Sequence, residues 1–134
     1  MVSFRVAITG LLLLFVTIVL AGCGSSPSLT FSQLPPGNPA SGETLFARQV
    51  NGTPACNTCH TLDGSPHAGP SLQGIGQRAA TQVNGLSAED YILQSIVQPA
   101  AFLAPGFGNQ MYGQYGERLT GQQLADVVSF MMLQ

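Results

Sequence analysis

Apolar residues follow three regimes along this chain. From Val6 to Leu20 they run almost unbroken, relieved by two threonines and one glycine. From Gly24 to Ala40 (GSSPSLTFSQLPPGNPA) they are scattered among Ser, Pro and Gly. Beyond Ser41 they recur three and four residues apart, the spacing of one face of a helix, and no stretch alternates convincingly as a strand. Ser41 suits the N-cap of a helix from Gly42 to about Val50, with Leu45 and Phe46 facing inward. Asn51-Gly52-Thr53-Pro54 then breaks the pattern. A second helix is expected from Ser87, where Ser87-Ala88-Glu89-Asp90 reads as a capping box closed by Asp. Tyr91, Ile92, Ser95 and Ile96 lie at helical spacing behind it, and Pro99 ends the run. A third starts at Thr120, with Gln123 completing a capping box, and carries Leu124, Val127, Val128, Phe130 and Met131 to the end. The pattern predicts an all-α domain of about three to five helices. Helices this short need a shared centre to pack around.

The first regime reads as an export leader. Met1 to Arg5 carries one positive charge, the apolar run follows, and Leu20-Ala21-Gly22-Cys23 ends it with small residues. That tetrapeptide resembles the lipobox of bacterial lipoproteins, in which the cysteine takes a diacylglyceryl group and becomes the first mature residue. The expected division is a signal peptide over 1–22, lipidated Cys23 and a flexible tether over 23–40, and a folded domain over 41–134. An uncleaved transmembrane anchor is the alternative, since Val6 to Gly22 is at the short end of the spanning range. Either way the domain is expected on the non-cytoplasmic side of a membrane, periplasmic or on the outer face of the cytoplasmic membrane. The tether would span roughly 20–25 Å as a coil and about 55 Å at full stretch.

Composition narrows the function classes. Only 7% of residues are charged, against the usual quarter, and lysine is absent. Beyond the leader, Arg48, Arg78 and Arg118 face Glu43, Asp63, Glu89, Asp90, Glu117 and Asp126. No basic patch supports nucleic-acid binding, and none is expected. The mature chain would be about 112 residues, enough for one small domain.

The candidate chemistry is concentrated in Cys56-Asn57-Thr58-Cys59-His60. Two thiols three residues apart lie on one side of a helical turn, followed at once by an imidazole. Both sulfurs can add across the vinyl groups of one porphyrin while His60 takes an axial position on iron, so covalent haem c is the expected cofactor. Zinc would want four ligands, and no second cysteine pair supplies them. A redox dithiol would want a βαβ setting, which the pattern lacks. Cysteine arithmetic closes on this reading: Cys23 for lipid, Cys56 and Cys59 for haem.

From Gly42 to Leu133 the chain resembles the single-haem class I cytochromes c. Gly42, Phe46 and Phe130 match the family's crossing of N- and C-terminal helices, and Gly69-Pro70-Ser71-Leu72 matches its Gly-Pro-x-Leu segment. The resemblance implies a small cytochrome c fold around one haem. It implies that the Pro70 carbonyl orients His60, that Leu72 presses on the haem edge, and that Arg78 pairs with a propionate. It also implies a distal methionine from the loop before the last helix, where Met111 lies. Met131 and Met132 read as core filler in an apolar helix, and His67 follows His60 too closely to reach the opposite face. Relatives usually place proline after that methionine, and here Tyr112 takes the place.

Two protein ligands on iron leave no open position for substrate. The expected function is therefore one-electron transfer in a respiratory or photosynthetic chain, as a tethered carrier or complex subunit rather than an enzyme. By analogy, the expected partners are the lipid bilayer through Cys23 and a membrane redox complex, such as a quinol-oxidising complex of the alternative complex III kind or a terminal oxidase. The alternative from another class is a haem enzyme or gas sensor with labile distal ligation, and a structural subunit whose haem mainly holds the fold is the third.

Overall fold

The computed structural model describes residues 28–134. The apolar leader and Cys23 lie outside the described residues. The described residues form five helices: α1 (Pro39–Phe46), α2 (Ile75–Arg78), α3 (Ala88–Val97), α4 (Tyr115–Arg118) and α5 (Gly121–Met131). Tight 3-10 turns occupy Phe31–Gln33, Cys56–Thr58 and Ala79–Thr81. Among the described residues there is no strand, and Val50 and Thr53 form an isolated antiparallel bridge. None of the described helices is long and apolar enough to cross a membrane. The all-α expectation holds.

Two of the helices begin where their side chains dictate. The Ser87 hydroxyl accepts the Asp90 N–H at 3.0 Å and donates to the Asp90 carboxylate at 2.9 Å, starting α3. Glu89 and Asp90 also place negative charge in its first turn, where the helix dipole favours it. α3 stops at Val97 because the residue before Pro99 is pushed out of helical conformation. The Thr120 hydroxyl accepts the Gln123 N–H at 3.2 Å, and the Gln123 side chain accepts the Thr120 N–H at 2.9 Å, completing the box that starts α5.

α1 departs from its expected bounds. It starts at Pro39, because Asn38 Oδ1 accepts the N–H groups of Ala40 and Ser41 at 3.0 and 3.3 Å. Pro39 has no N–H to satisfy at the first helical position, so Asn38-Pro39 outcompetes Ser41 as the cap. The helix ends at Phe46 rather than Val50, and the chain turns sharply through Asn51 (φ 52°) and Gly52 (φ 77°).

The stretch from Thr30 to Asn38 is also more than a spacer, so the boundary at Ser41 falls inside the packed structure. The Phe31 N–H donates to Asp90 Oδ1, and the Asn38 N–H to Asp126 Oδ1, each at 2.7 Å. Gln122 Nε2 donates to the Pro36 carbonyl at 2.9 Å. Phe31 and Leu34 rest on the core between these points. Composition suggested a free coil here; two apolar side chains and two carboxylates that accept its amides tie it down instead.

The core sits where α1 crosses α5. Phe46 and Phe130 meet with ring centroids 5.7 Å apart and planes tilted by 55°. Leu124, Val127, Val128 and Met131 line the inner face of α5 against Ile75, Ala79, Ile92 and Leu93. Met131 is buried there as core filler. Tyr91 on α3 takes the edge of Phe102 at 5.7 Å, anchoring the loop that leads towards Met111.

Candidate functional site

The turn after α1 delivers the chain into the Cys-x-x-Cys-His motif. The Thr53 N–H and hydroxyl both donate to the Val50 carbonyl, at 2.9 and 2.7 Å. The Asn51 side chain donates to the Arg118 carbonyl at 3.0 Å, fixing this turn to the end of α4. The Tyr115 hydroxyl donates to the Pro54 carbonyl at 2.9 Å. The motif is therefore held from below by α4 before its first cysteine is reached.

Cys56–Thr58 then winds one tight turn. The Cys59 N–H donates to the Cys56 carbonyl at 3.1 Å, and the His60 N–H to the same oxygen at 3.0 Å. This places Cys56 and Cys59, both free and half-buried, beside each other on one turn. Burial pushes the Cys56 thiol up to about 11; the neighbouring Cys59 adds to this, and a backbone hydrogen bond partly opposes it. Zinc would require deprotonated thiols. Among the described residues, moreover, no cluster of three or more His, Cys, Asp or Glu could hold a metal ion.

His60 is fixed on two sides. Its Nδ1 lies 2.8 Å from the Pro70 carbonyl. A carbonyl can only accept, so Nδ1 is the donor here and Nε2 is the ring nitrogen left for a metal. Its ring lies close against Gly69, where a Cβ would come within 2.6 Å of Cε1 and 2.9 Å of Nδ1. Residue 69 must be glycine for the imidazole to lie there. The loop between is closed at its base by the Gly69 N–H on the Cys59 carbonyl and the Leu72 N–H on the Thr61 carbonyl, both 2.8 Å.

The structure thus brings Cys56, Cys59, His60 and Pro70 into one constellation. Leu72, half-buried, packs on the core beside it. Arg78, at the end of α2, donates through Nη2 to the Ser71 carbonyl at 2.8 Å and through Nη1 to the Gln73 carbonyl, so its partners here are backbone oxygens. His67 is exposed on the loop. Met111 is half-buried in the loop before α4. That loop is fastened towards the motif: Tyr112 packs edge-on to Tyr115 at 5.1 Å, and Tyr115 is bonded to Pro54. Burial raises the Tyr115 phenol above its ordinary value, with smaller contributions from Cys56, Cys59 and Tyr112, as befits a phenol close to both thiols.

Tyr115, Thr61 and Ser71 were not singled out in the sequence. Each acts through a turn or a backbone group that only the folded chain brings near. The residues present fit haem c by their donor set: two free thiols on one turn, an imidazole whose Nδ1 meets a backbone carbonyl, and a glycine that leaves room for its ring. Residues 39–133 match the family model for cytochrome c, which covers both helices of the crossing, the Cys-x-x-Cys-His motif and the Met111 loop. On this match and this geometry, the chain belongs to the cytochrome c family.

Proposed function

We propose that this protein is a single-haem electron carrier held at a membrane surface by lipid on Cys23. The cytochrome c domain implies haem-based electron transfer, and the family typically carries electrons rather than catalysing reactions. When bound, haem c supplies an iron that takes up or gives one electron at a time. In this reading Cys56 and Cys59 would hold it as thioethers, and His60 Nε2, oriented by Pro70, would bind its iron. Leu72 would lie beside it, and Met111 would supply a thioether as the second protein ligand. Two protein ligands leave no position for substrate, which favours electron transfer over peroxidase or gas-binding chemistry.

The observation that carries the reading is the contact between His60 Nδ1 and the Pro70 carbonyl beside the two cysteines. Nδ1 of His60 lies 2.8 Å from the Pro70 carbonyl and the ring lies against Gly69, so Nε2 is the nitrogen left to bind iron. Membrane attachment is supported by the charged start, the apolar run from Val6 to Leu20 and the Leu20-Ala21-Gly22-Cys23 that closes it. A membrane redox complex, quinol-oxidising or terminal oxidase, is the partner that such an anchor makes accessible.

The test is on the exported full chain. The protein should carry one covalently attached haem, and its oxidised form should show the thioether-to-ferric charge-transfer band in the red. Met111→Ala should keep the attached haem, lose that band, lower the potential and open the iron to carbon monoxide. An unchanged spectrum and potential in Met111→Ala would overturn the distal assignment.

A further inference from the structure

The chain reaches α1 through a strap that is fastened at several points. The Phe31 N–H donates to Asp90 Oδ1 on α3, and the Asn38 N–H to Asp126 Oδ1 on α5, each at 2.7 Å. Between them Gln122 Nε2 donates to the Pro36 carbonyl at 2.9 Å. Gly37 is seated so closely on α5 that a Cβ there would overlap the Ala125 carbonyl and the Ser129 hydroxyl. Upstream of these ties, Ser28, Leu29 and Thr30 line a groove of about 210 Å³ together with Leu86, Gln94 and Gln98. The chain therefore enters the domain at a fixed place, beside α3.

Distance then decides which face can meet a membrane. Cys23 is five residues before Ser28, a reach of about 17 Å at full extension. A domain of roughly 100 residues is about 34 Å across, so its far side stays beyond that reach. We infer that the strap is an orienting device: it fixes Ser28 and Leu29 beside α3, so that the face bearing Leu29, Leu86, Gln94 and Gln98 rests on the lipid bilayer. The inference rests on the reading of Cys23 as the lipid anchor.

The chemistry of this face suits neutral lipid. Its groove is lined by no arginine or lysine that would draw it to anionic headgroups. Asp90 also lines the groove, but its Oδ1 accepts the Phe31 N–H and its Oδ2 the Ser87 hydroxyl at 2.9 Å. Both oxygens are thus occupied within the protein. Leu29 is 45% exposed and can enter the apolar edge of the headgroup layer. The Gln94 and Gln98 amides can donate to phosphate and ester oxygens there. One leucine holds a membrane weakly by itself, and the anchor supplies the local concentration that makes the contact persist.

With Cys23 acylated and Cys56 and Cys59 in thioethers, an introduced cysteine is the one free thiol in the chain. The lipidated, haem-loaded full chain would carry Gln98→Cys, at the groove, or Thr44→Cys, exposed on α1 and outside the groove. Each is added to phosphatidylcholine vesicles and treated with a polymer-bearing maleimide. The same variants in a Cys23→Ala background, free in solution, supply the reference rates. Vesicle attachment should slow modification of Gln98→Cys several-fold and leave Thr44→Cys unchanged. A Gly/Ser insertion of about 15 residues after Gly24 adds about 50 Å of reach and should remove the difference. Unslowed modification of Gln98→Cys, or slowing at Thr44→Cys as large, would overturn the assignment of this face. A difference that survives the insertion would overturn the orienting role of the strap. Failure of the anchor reading would look different: Cys23 would carry no lipid mass and the chain would not join the vesicles.

Discussion

Gly42 on α1 and Phe130 on α5 approach so closely that a Cβ on Gly42 would lie 2.7 Å from the Phe130 Cβ and 2.0 Å from the Asp126 carbonyl oxygen. The Asp126 contact is with backbone, so no rotamer change relieves it. Gly42→Ala should therefore separate the two helices and cost about 1–3 kcal/mol or more, outweighing alanine's better helix propensity. Denaturant unfolding of the haem-loaded protein checks this: a lower midpoint at similar slope is expected. A midpoint at or above that of the unaltered protein would mean that the crossing is looser than it stands here.

The segment before α1 gives a second prediction. Asp126 is 6% exposed, and its Oδ1 accepts both the Asn38 N–H and Gln122 Nε2, at 2.7 and 2.8 Å. Asp126→Ala strands that amide and should cost about 1–3 kcal/mol. Asp126→Asn keeps an oxygen acceptor and should recover part of the loss. Hydrogen exchange at Asn38 should speed up in the alanine variant, while the amide of Phe31, bonded to Asp90, stays protected. Equal speeding at both would show that the segment opens as one piece.

The sequence disclosed this site unevenly, and the reasons are physical. Cys56, Cys59 and His60 are contiguous, so their chemistry is written in one pentapeptide. Ser87 and Thr120 cap their helices through residues three positions on, which spacing alone reveals. Asn38 displaced Ser41 because proline at the first helical position tips a contest that polar pattern does not decide. The ties from Phe31 to Asp90 and from Asn38 to Asp126 join residues far apart in sequence, so composition could read that segment only as coil. The short helices α2 and α4, four residues each, are too brief to leave a periodic signature. For the same reason Tyr115, which fastens the Met111 loop to Pro54, was invisible before folding.

The ties at Phe31 and Asn38 bear on the membrane proposal. With the chain held from Phe31 onward, a lipid on Cys23 could lie no more than about 25 Å from that point even at full extension. That is less than half the reach of a tether running to Ala40. Cys23→Ala should release the protein from the membrane fraction with haem loading unchanged. Inserting a flexible Gly/Ser segment after Gly24 should increase the measured distance between haem and bilayer. Persistent, detergent-resistant attachment of Cys23→Ala with its leader uncut would favour a transmembrane anchor.

The last prediction concerns alkaline pH, where this chain is unusual. It has no lysine, and in the haem-bound form Cys56 and Cys59 are thioethers, so tyrosines dominate side-chain titration there. Burial raises the Tyr115 phenol above its ordinary value of 10.0. The folded protein therefore keeps this proton where the unfolded chain releases it. Stability from this source is fully present below the unfolded value and falls as pH climbs past it towards the raised folded value. Tyr115→Phe removes the phenol and also its hydrogen bond to the Pro54 carbonyl. At neutral pH that loss should cost about 1 kcal/mol. Above about pH 10 the variant should lose stability less steeply than the unaltered protein, so the two curves converge. Urea unfolding of both proteins between about pH 7 and pH 11 measures this directly. Parallel curves across that range would show that Tyr115 is freely solvated, and its role in holding the Met111 loop to the haem motif would fall with that result.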